Sequence, residues 1–138
     1  MYFTAGFGRQ IDMLRRSMGV SVLRADVIAN NISNSDTPNF KRSVVNFESA
    51  LKRALASERT KPFPALVSDP RHISFRRRTD WREVRPGVVW DYLSTSKNNG
   101  NNVDIEQESM DQLRNQMMYT TMAQAVSNAF GQVNIVLR

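Results

Sequence analysis

Cysteine is absent and His72 is the only histidine. Disulfide staples, thiolate nucleophiles and sulfur-ligated zinc are therefore excluded, as is any metal centre built on several imidazoles. No serine sits in a nucleophile-elbow pattern and no glycine run is spaced to cradle a phosphate, so catalysis is left without a candidate residue. The reading is of a chain with no enzymatic activity, no cofactor, no metal and no small-molecule substrate. Nor is there an apolar run of the roughly 20 residues that a membrane span needs. Arg9, Asp12, Arg15 and Arg16 interrupt the stretch where the apolar core of a cleavable leader should lie, so any export is expected to use a route that reads no such leader.

Proline is missing from both ends. All five prolines, Pro38, Pro62, Pro64, Pro70 and Pro86, lie in the middle of the 138 residues. Both flanks carry apolar residues at helical spacing. The N-terminal series is Phe7, Ile11, Leu14, Met18, Val22, Ala25, Ala29 and Ile32, a narrow stripe of the coiled-coil kind. The C-terminal series is Met110, Leu113 and Met117, then a phase slip, then Met122, Val126, Ala129, Val133 and Val136. Each flank predicts a helix of about 30 residues, roughly 45 Å long. The methionines Met110, Met117, Met118 and Met122 read as packing residues that tolerate non-identical neighbours.

The helix ends have their own chemistry. Asp104 is a suitable N-cap, with Gln107 as capping-box partner and Glu106 and Glu108 in the first turn, where the helix dipole favours acids. The first helix is expected to stop near Asn34, which can adopt the left-handed conformation, ahead of Thr37 and Pro38. Between the helices, Phe47, Leu51 and Leu55 predict a short helix. Residues 71–93, with Ile73, Phe75, Val88, Val89, Trp90 and Tyr92, predict a short hairpin. Residues 96–102, SKNNGNN, read as a loop too polar to bury. The expected fold is mainly α: long terminal helices packed as an antiparallel pair around a small central α/β insertion. Its segments are 1–36, 37–99 and 100–138.

The net charge of +6 calls for an anionic partner to be weighed. Arg71, Arg76, Arg77, Arg78, Arg82 and Arg85, with Phe75 and Trp81 among them, are the best case for nucleic acid, although Asp80 and Glu83 interrupt the cluster and no known nucleic-acid motif accompanies it. A membrane-surface module using the N-terminal helix is the other alternative. The loop before Asp104 fails as a calcium site, because taking Gly100 as the turn glycine places Thr95 and Lys97 where carboxylates are needed. Asn31-Ile32-Ser33 matches a glycosylation sequon, but inside a helix the match reads as chance.

The stretch ANNISNSDTPNFKR, Ala29 to Arg42, closely resembles the signature that ends the N-terminal helix in flagellar axial proteins. Ala29, Asn30, Asn31, Ile32, Asn34, Thr37, Pro38, Phe40 and Lys41 carry the likeness. Asn39 replaces the usual glycine, a mild departure because asparagine tolerates positive φ. Phe47, Glu48 and Leu51, the Asp69-Pro70-Arg71-His72-Ile73 run, then Asn101, Asn102, Val103, Asp104 and Glu108 with Tyr119 downstream, resemble the proximal rod members of that family. The resemblance implies a structural rod subunit of the flagellar basal body. It implies partners in its own copies, other rod proteins, membrane-ring and adaptor proteins at the rod base, and the type III export apparatus. It also implies a place in the rod crossing the periplasm, reached without a cleavable signal, where the terminal helices form the export channel wall and transmit torque. Gly131 to Arg138 fit the pattern less well.

Overall fold

The computed structural model describes residues 2–59, 68–69, 71–72, 79–94 and 98–137, with side chains from residue 6 onward. Two helices dominate. α1 spans Tyr2–Ser33 and α3 spans Ile105–Val136, each 32 residues long. Between them come β1 (Ser43–Asn46), α2 (Glu48–Arg59), a single 3-10 turn (Trp81–Glu83) and β2 (Gly87–Trp90). The chain is thus mainly helical, with the long terminal helices packed on each other and a small two-stranded sheet between them in sequence.

The helix pair is antiparallel. Phe7 meets Phe130 edge to face with ring centroids 5.9 Å apart. Further along, the Asn115 amide donates to the Ser21 carbonyl at 2.8 Å, and at the other end the Asn31 amide donates to Glu108 at 3.1 Å. As α1 advances, its partner on α3 therefore recedes. The start of α3 forms as its residues dictate: the Asp104 carboxylate accepts from the Glu106 and Gln107 amides at 2.9 and 3.4 Å. Gln107 does not close a capping box, because its side-chain amide reaches forward to Asp111 at 3.2 Å. At the far end the helix runs on to Val136, through the residues that fit the family pattern less well.

The contact face differs from the apolar stripe. On α1 the buried residues are Val20, Ser21, Ile28 and Asn31, and on α3 they are Glu108 and Asn115. Val22 is 52% exposed and Met117 59%, and Met110 and Leu113 are also exposed. The other expected seam residues, Ile11, Leu14, Met18, Ala25, Met122, Val126, Ala129 and Val133, are half-buried. The physical reason is that polar side chains with partners occupy the facing positions at this end. A stripe drawn through apolar residues alone then lands about one position to the side.

Strand pairing departs from expectation too. Among the described residues, Gly87–Trp90 pairs with Ser43–Asn46, not with a neighbour inside residues 71–93. The Asp91 amide donates to the Arg42 carbonyl at 2.8 Å, while Gly87 lies beside the Asn46 carbonyl, so the pair is antiparallel. Ile73 and Phe75 lie outside the described residues, as do Pro62, Pro64 and Pro70.

By contacts the chain forms two compact units. One comprises Met1–Val45 and Val88–Arg138, and the other Asn46–Gly87. Residues 37–45, 88–94 and 98–99, expected in the central segment, thus group with the helices. In the second unit Phe47, Ala54 and Trp81 are buried. The Ser57 hydroxyl ties α2 to Thr79, accepting from its amide at 3.2 Å. The turn that carries Trp81 is started by Asp80, whose carboxylate accepts from the Arg82 amide at 2.9 Å, and the Arg82 guanidinium lies 4.8 Å from the Trp81 ring centroid. Trp81 is 1% exposed and Trp90 is 63% exposed. Accordingly, Trp90→Phe should leave blue-shifted emission that iodide barely quenches, and Trp81→Phe should leave red-shifted emission that iodide quenches freely. Equal quenching of the two variants would contradict the burial of Trp81.

Candidate functional site

The end of α1 poses a problem common to all helices: its last carbonyls have no partner within the helix. Asn34 stays right-handed, its amide bonding back to the Asn30 and Asn31 carbonyls at 3.2 Å. Left-handed geometry appears instead at Asn39, with φ 61°, the position where glycine is usual. The carbonyls that follow are met from far along the chain. The Asn101 side-chain amide donates to the Asn34, Ser35 and Thr37 carbonyls at 2.9, 2.9 and 2.8 Å. Its oxygen accepts from the Val103 amide at 2.7 Å.

Residues 99–104 therefore finish one helix and, through Asp104, start the other. The reading of SKNNGNN as too polar to bury fails at Asn101 and Asn102, both buried. Burial is tolerated because each carboxamide stands in for a peptide group. Asn102 accepts from the Arg42 amide at 2.6 Å and donates to the Asp91 carbonyl at 2.6 Å. Lys41 donates to the Gly100 carbonyl at 2.7 Å, and the Asn39 amide to the Asn99 carbonyl at 3.1 Å. Gly100 has φ 78°, a left-handed conformation that favours glycine, and a Cβ there would stand 2.6 Å from the Asn39 side-chain oxygen, which would have to turn aside.

A second cluster lies at the junction of α1, β1 and α3. Asn31 and Glu108 are both 0% exposed. The Asn31 carboxamide treats Ser43 as a strand would, donating to its carbonyl at 2.8 Å and accepting from its amide at 3.0 Å. It also donates to Glu108. Arg42 completes the charge balance through a short Nε bond to Glu108 and a 3.0 Å contact to Asp111, which Arg114 also meets at 3.2 Å. Beside this cluster runs a groove of about 320 Å³, its lining including Arg24, Ile28, Arg42, Val45, Asp111 and Asn115. With its carboxamide buried and fully engaged, Asn31 cannot serve as a glycosylation acceptor.

The structure thus brings Asn31, Asn34, Thr37, Lys41, Asn101, Asn102, Asp104 and Glu108 to one end of the helix pair, with buried Val103 among them. Ile32 and Phe40 are half-buried nearby in sequence, while Ala29, Asn30 and Pro38 are exposed. Phe47, Glu48 and Leu51 fall in the second compact unit, and Tyr119 lies further along α3. In the Asp69 run, Asp69 accepts from the Arg71 and His72 amides to make a tight turn, whereas Pro70 and Ile73 lie outside the described residues. Arg71, Arg82 and Arg85 are exposed, and Arg76, Arg77 and Arg78 are outside the described set. Sequence reasoning missed Arg42, Ser43, Asp91, Asp111 and the Ser21–Asn115 contact. Arg42 ends the signature stretch, and that position was the available signal for it.

Two outcomes test this geometry. Asn101→Ala should lower unfolding stability by about 3 kcal/mol, and near-isosteric Asn101→Asp by at least as much, because it sets a carboxylate against three carbonyls; denaturant titration measures both. Asp91 provides the pH dependence. Its carboxyl is held below the ordinary value first by the Ser94 hydroxyl, then by the Leu93 amide and more weakly by the Ser94 amide and the Arg42 charge, with burial opposing. A lowered carboxylate contributes its stability in full above the ordinary value and loses it as pH falls through the depressed one. Ser94→Ala should return the Asp91 titration, followed by NMR, towards the ordinary range.

Among the described residues no helix is long and apolar enough to cross a membrane. The family model described as "Flagella basal body rod protein" matches residues 23–41, the end of α1 and the turn that Asn101 caps. The chain is 42% identical to the flagellar basal body rod protein FlgB of Borreliella burgdorferi, over 96% of this chain and 98% of that protein. It is 39% identical to FlgB of Borrelia hermsii over 96% and 98%, and 28% identical to FlgB of Bacillus subtilis over 95% of each. None of these similarities supports the nucleic-acid or membrane-surface alternative. A junction built from the residues of the family signature, in a chain so similar along its whole length, places the protein: it belongs to the flagellar basal body rod protein family, as a structural subunit and not an enzyme.

Proposed function

We propose that the chain polymerises through the outward faces of its terminal helices, with its own copies and with other rod proteins, and in that form transmits torque and contributes to the wall of the export channel. The observation that carries this reading is the surface of α3. Met110, Leu113, Met117, Met118, Ile135 and Val136 are all exposed on α3, and Val22 is exposed on α1. Apolar surface on that scale marks an interaction site. Between Arg114 and Arg138 the sequence carries no charge, so a neighbour can cover this part of α3 without desolvating an ion.

The signature residues take a different part in this reading: they build the junction that holds the subunit together, and the outer faces make the contacts. The finer partners, membrane-ring and adaptor proteins at the rod base and the type III export apparatus, belong to the same proposal. So do passage without a cleavable leader and a place in the rod where it crosses the periplasm. The thin, partly polar contact between α1 and α3 fits a chain that travels unfolded or partly folded and completes its helices against neighbours.

Replacing Met110, Leu113 and Met117 together by glutamine should leave the far-ultraviolet circular dichroism of the isolated chain unchanged while abolishing self-association. The same variant should fail to restore swimming to a strain that lacks its own copy. Retained association and swimming would remove α3 from the assembly surface.

A further inference from the structure

Glu108 is a fully buried carboxylate that no outward contact uses. A buried ion pair adds little net stability compared with an apolar pair of the same volume, but leaving one member without its partner is heavily penalised. Such a group discriminates between arrangements more than it stabilises any one of them. Elsewhere along the pair, α1 and α3 carry small and flexible apolar residues, Ala25, Met122, Ala125, Val126 and Ala129, all half-buried, that would pack almost as well after a slide of one helical turn. A slide of about 5.4 Å would carry Glu108 out of reach of both Asn31 and Arg42. It would also part Asn115 from the Ser21 carbonyl, the second polar contact across the pair.

We infer that Glu108, with Asn31 and Arg42, fixes the register of α3 against α1, with Asn115 and Ser21 as a second pin. These are positioning residues: they select one alignment of two helices whose apolar contacts leave the alignment open. The inference rests on the rod reading in one respect, that a wrongly aligned pair would present the exposed face of α3 out of step with its neighbours.

The absence of native cysteine makes the register directly measurable. Phe7→Cys with Phe130→Cys reports the observed alignment. Phe7→Cys with Val126→Cys, or with Asn134→Cys, reports slides in either direction. In the otherwise unaltered full chain, the first pair should form its intramolecular disulfide at least ~10-fold faster than the other two, and in the background Asn31→Leu, Arg42→Met, Glu108→Met that preference should fall below ~3-fold with helical circular dichroism retained. If the triple background loses its helical signal, Glu108→Gln decides alone, and its preference should fall by at least ~3-fold. A preference that persists in both backgrounds, or that is missing from the unaltered chain, overturns the inference. A role in stability alone would change the total yield of disulfide and leave the ratio as it was. The rod reading is judged separately, by whether the unaltered chain restores swimming, so failure of one is not mistaken for failure of the other.

Discussion

A carboxylate without solvent must find its partners in the protein, and Glu108 finds them in Asn31 and Arg42. That single requirement fixes the last turn of α1, the residue just before β1 and the first turn of α3 relative to one another. Much else follows from it. While serving Glu108, the Asn31 carboxamide also pairs with both backbone groups of Ser43. β1 is thereby held on one side by a side chain, and its other side is left for β2. The Arg42 backbone joins the same arrangement, its amide meeting Asn102 and its carbonyl meeting the Asp91 amide.

The short segment 99–104 works on the same principle with neutral groups. Helix ends are usually satisfied by residues adjacent in sequence. Here the carbonyls after α1 are met by Asn101, more than sixty residues downstream, only three positions ahead of the residue that caps α3. The end of one helix and the beginning of the other are therefore coupled: the carbonyls after α1 are not satisfied until the segment that starts α3 has closed onto them. At the opposite end of the pair Phe7 meets Phe130 and half-buried Ile11, Leu14, Val126 and Ala129 lie along the helices, while Ile135, Val136 and Leu137 are exposed. The pair is polar and closed at one end, apolar and open at the other.

This division explains what could be read from the sequence. Helix lengths were legible because proline is confined to the middle and Asp104 has the chemistry of a cap. The likeness to rod proteins was legible because Asn31, Asn34, Thr37, Asn101 and Asn102 recur in an ordered pattern. The facing positions near the start of α3 were not, because the usual rule takes apolar residues as the inside. Met110, Leu113 and Met117 were placed in the seam on that rule, while Glu108 and Asn115, which occupy it, look like solvent residues until their partners are known. β1 was missed for a related reason. Ser-Val-Val-Asn is too short to signal a strand alone, and its edge is completed by the Asn31 side chain and by β2, forty residues away.

The inversion has a functional logic. In a protein that acts alone, burying polar groups and exposing methionine and leucine would waste apolar surface. In a subunit, the two surfaces answer to different demands. The internal contact must be specific, and satisfied polar groups discriminate sharply between alignments while adding little to stability. The external contact must be strong enough to hold an assembly and tolerant of neighbours that are not identical, which flexible, uncharged apolar side chains allow. On the proposed mode of assembly, cohesion within the chain and adhesion between chains use different chemistry on opposite sides of the same helix. On that proposal, a substitution on the inner side changes which shape the subunit takes, and one on the outer side changes only what that shape can hold.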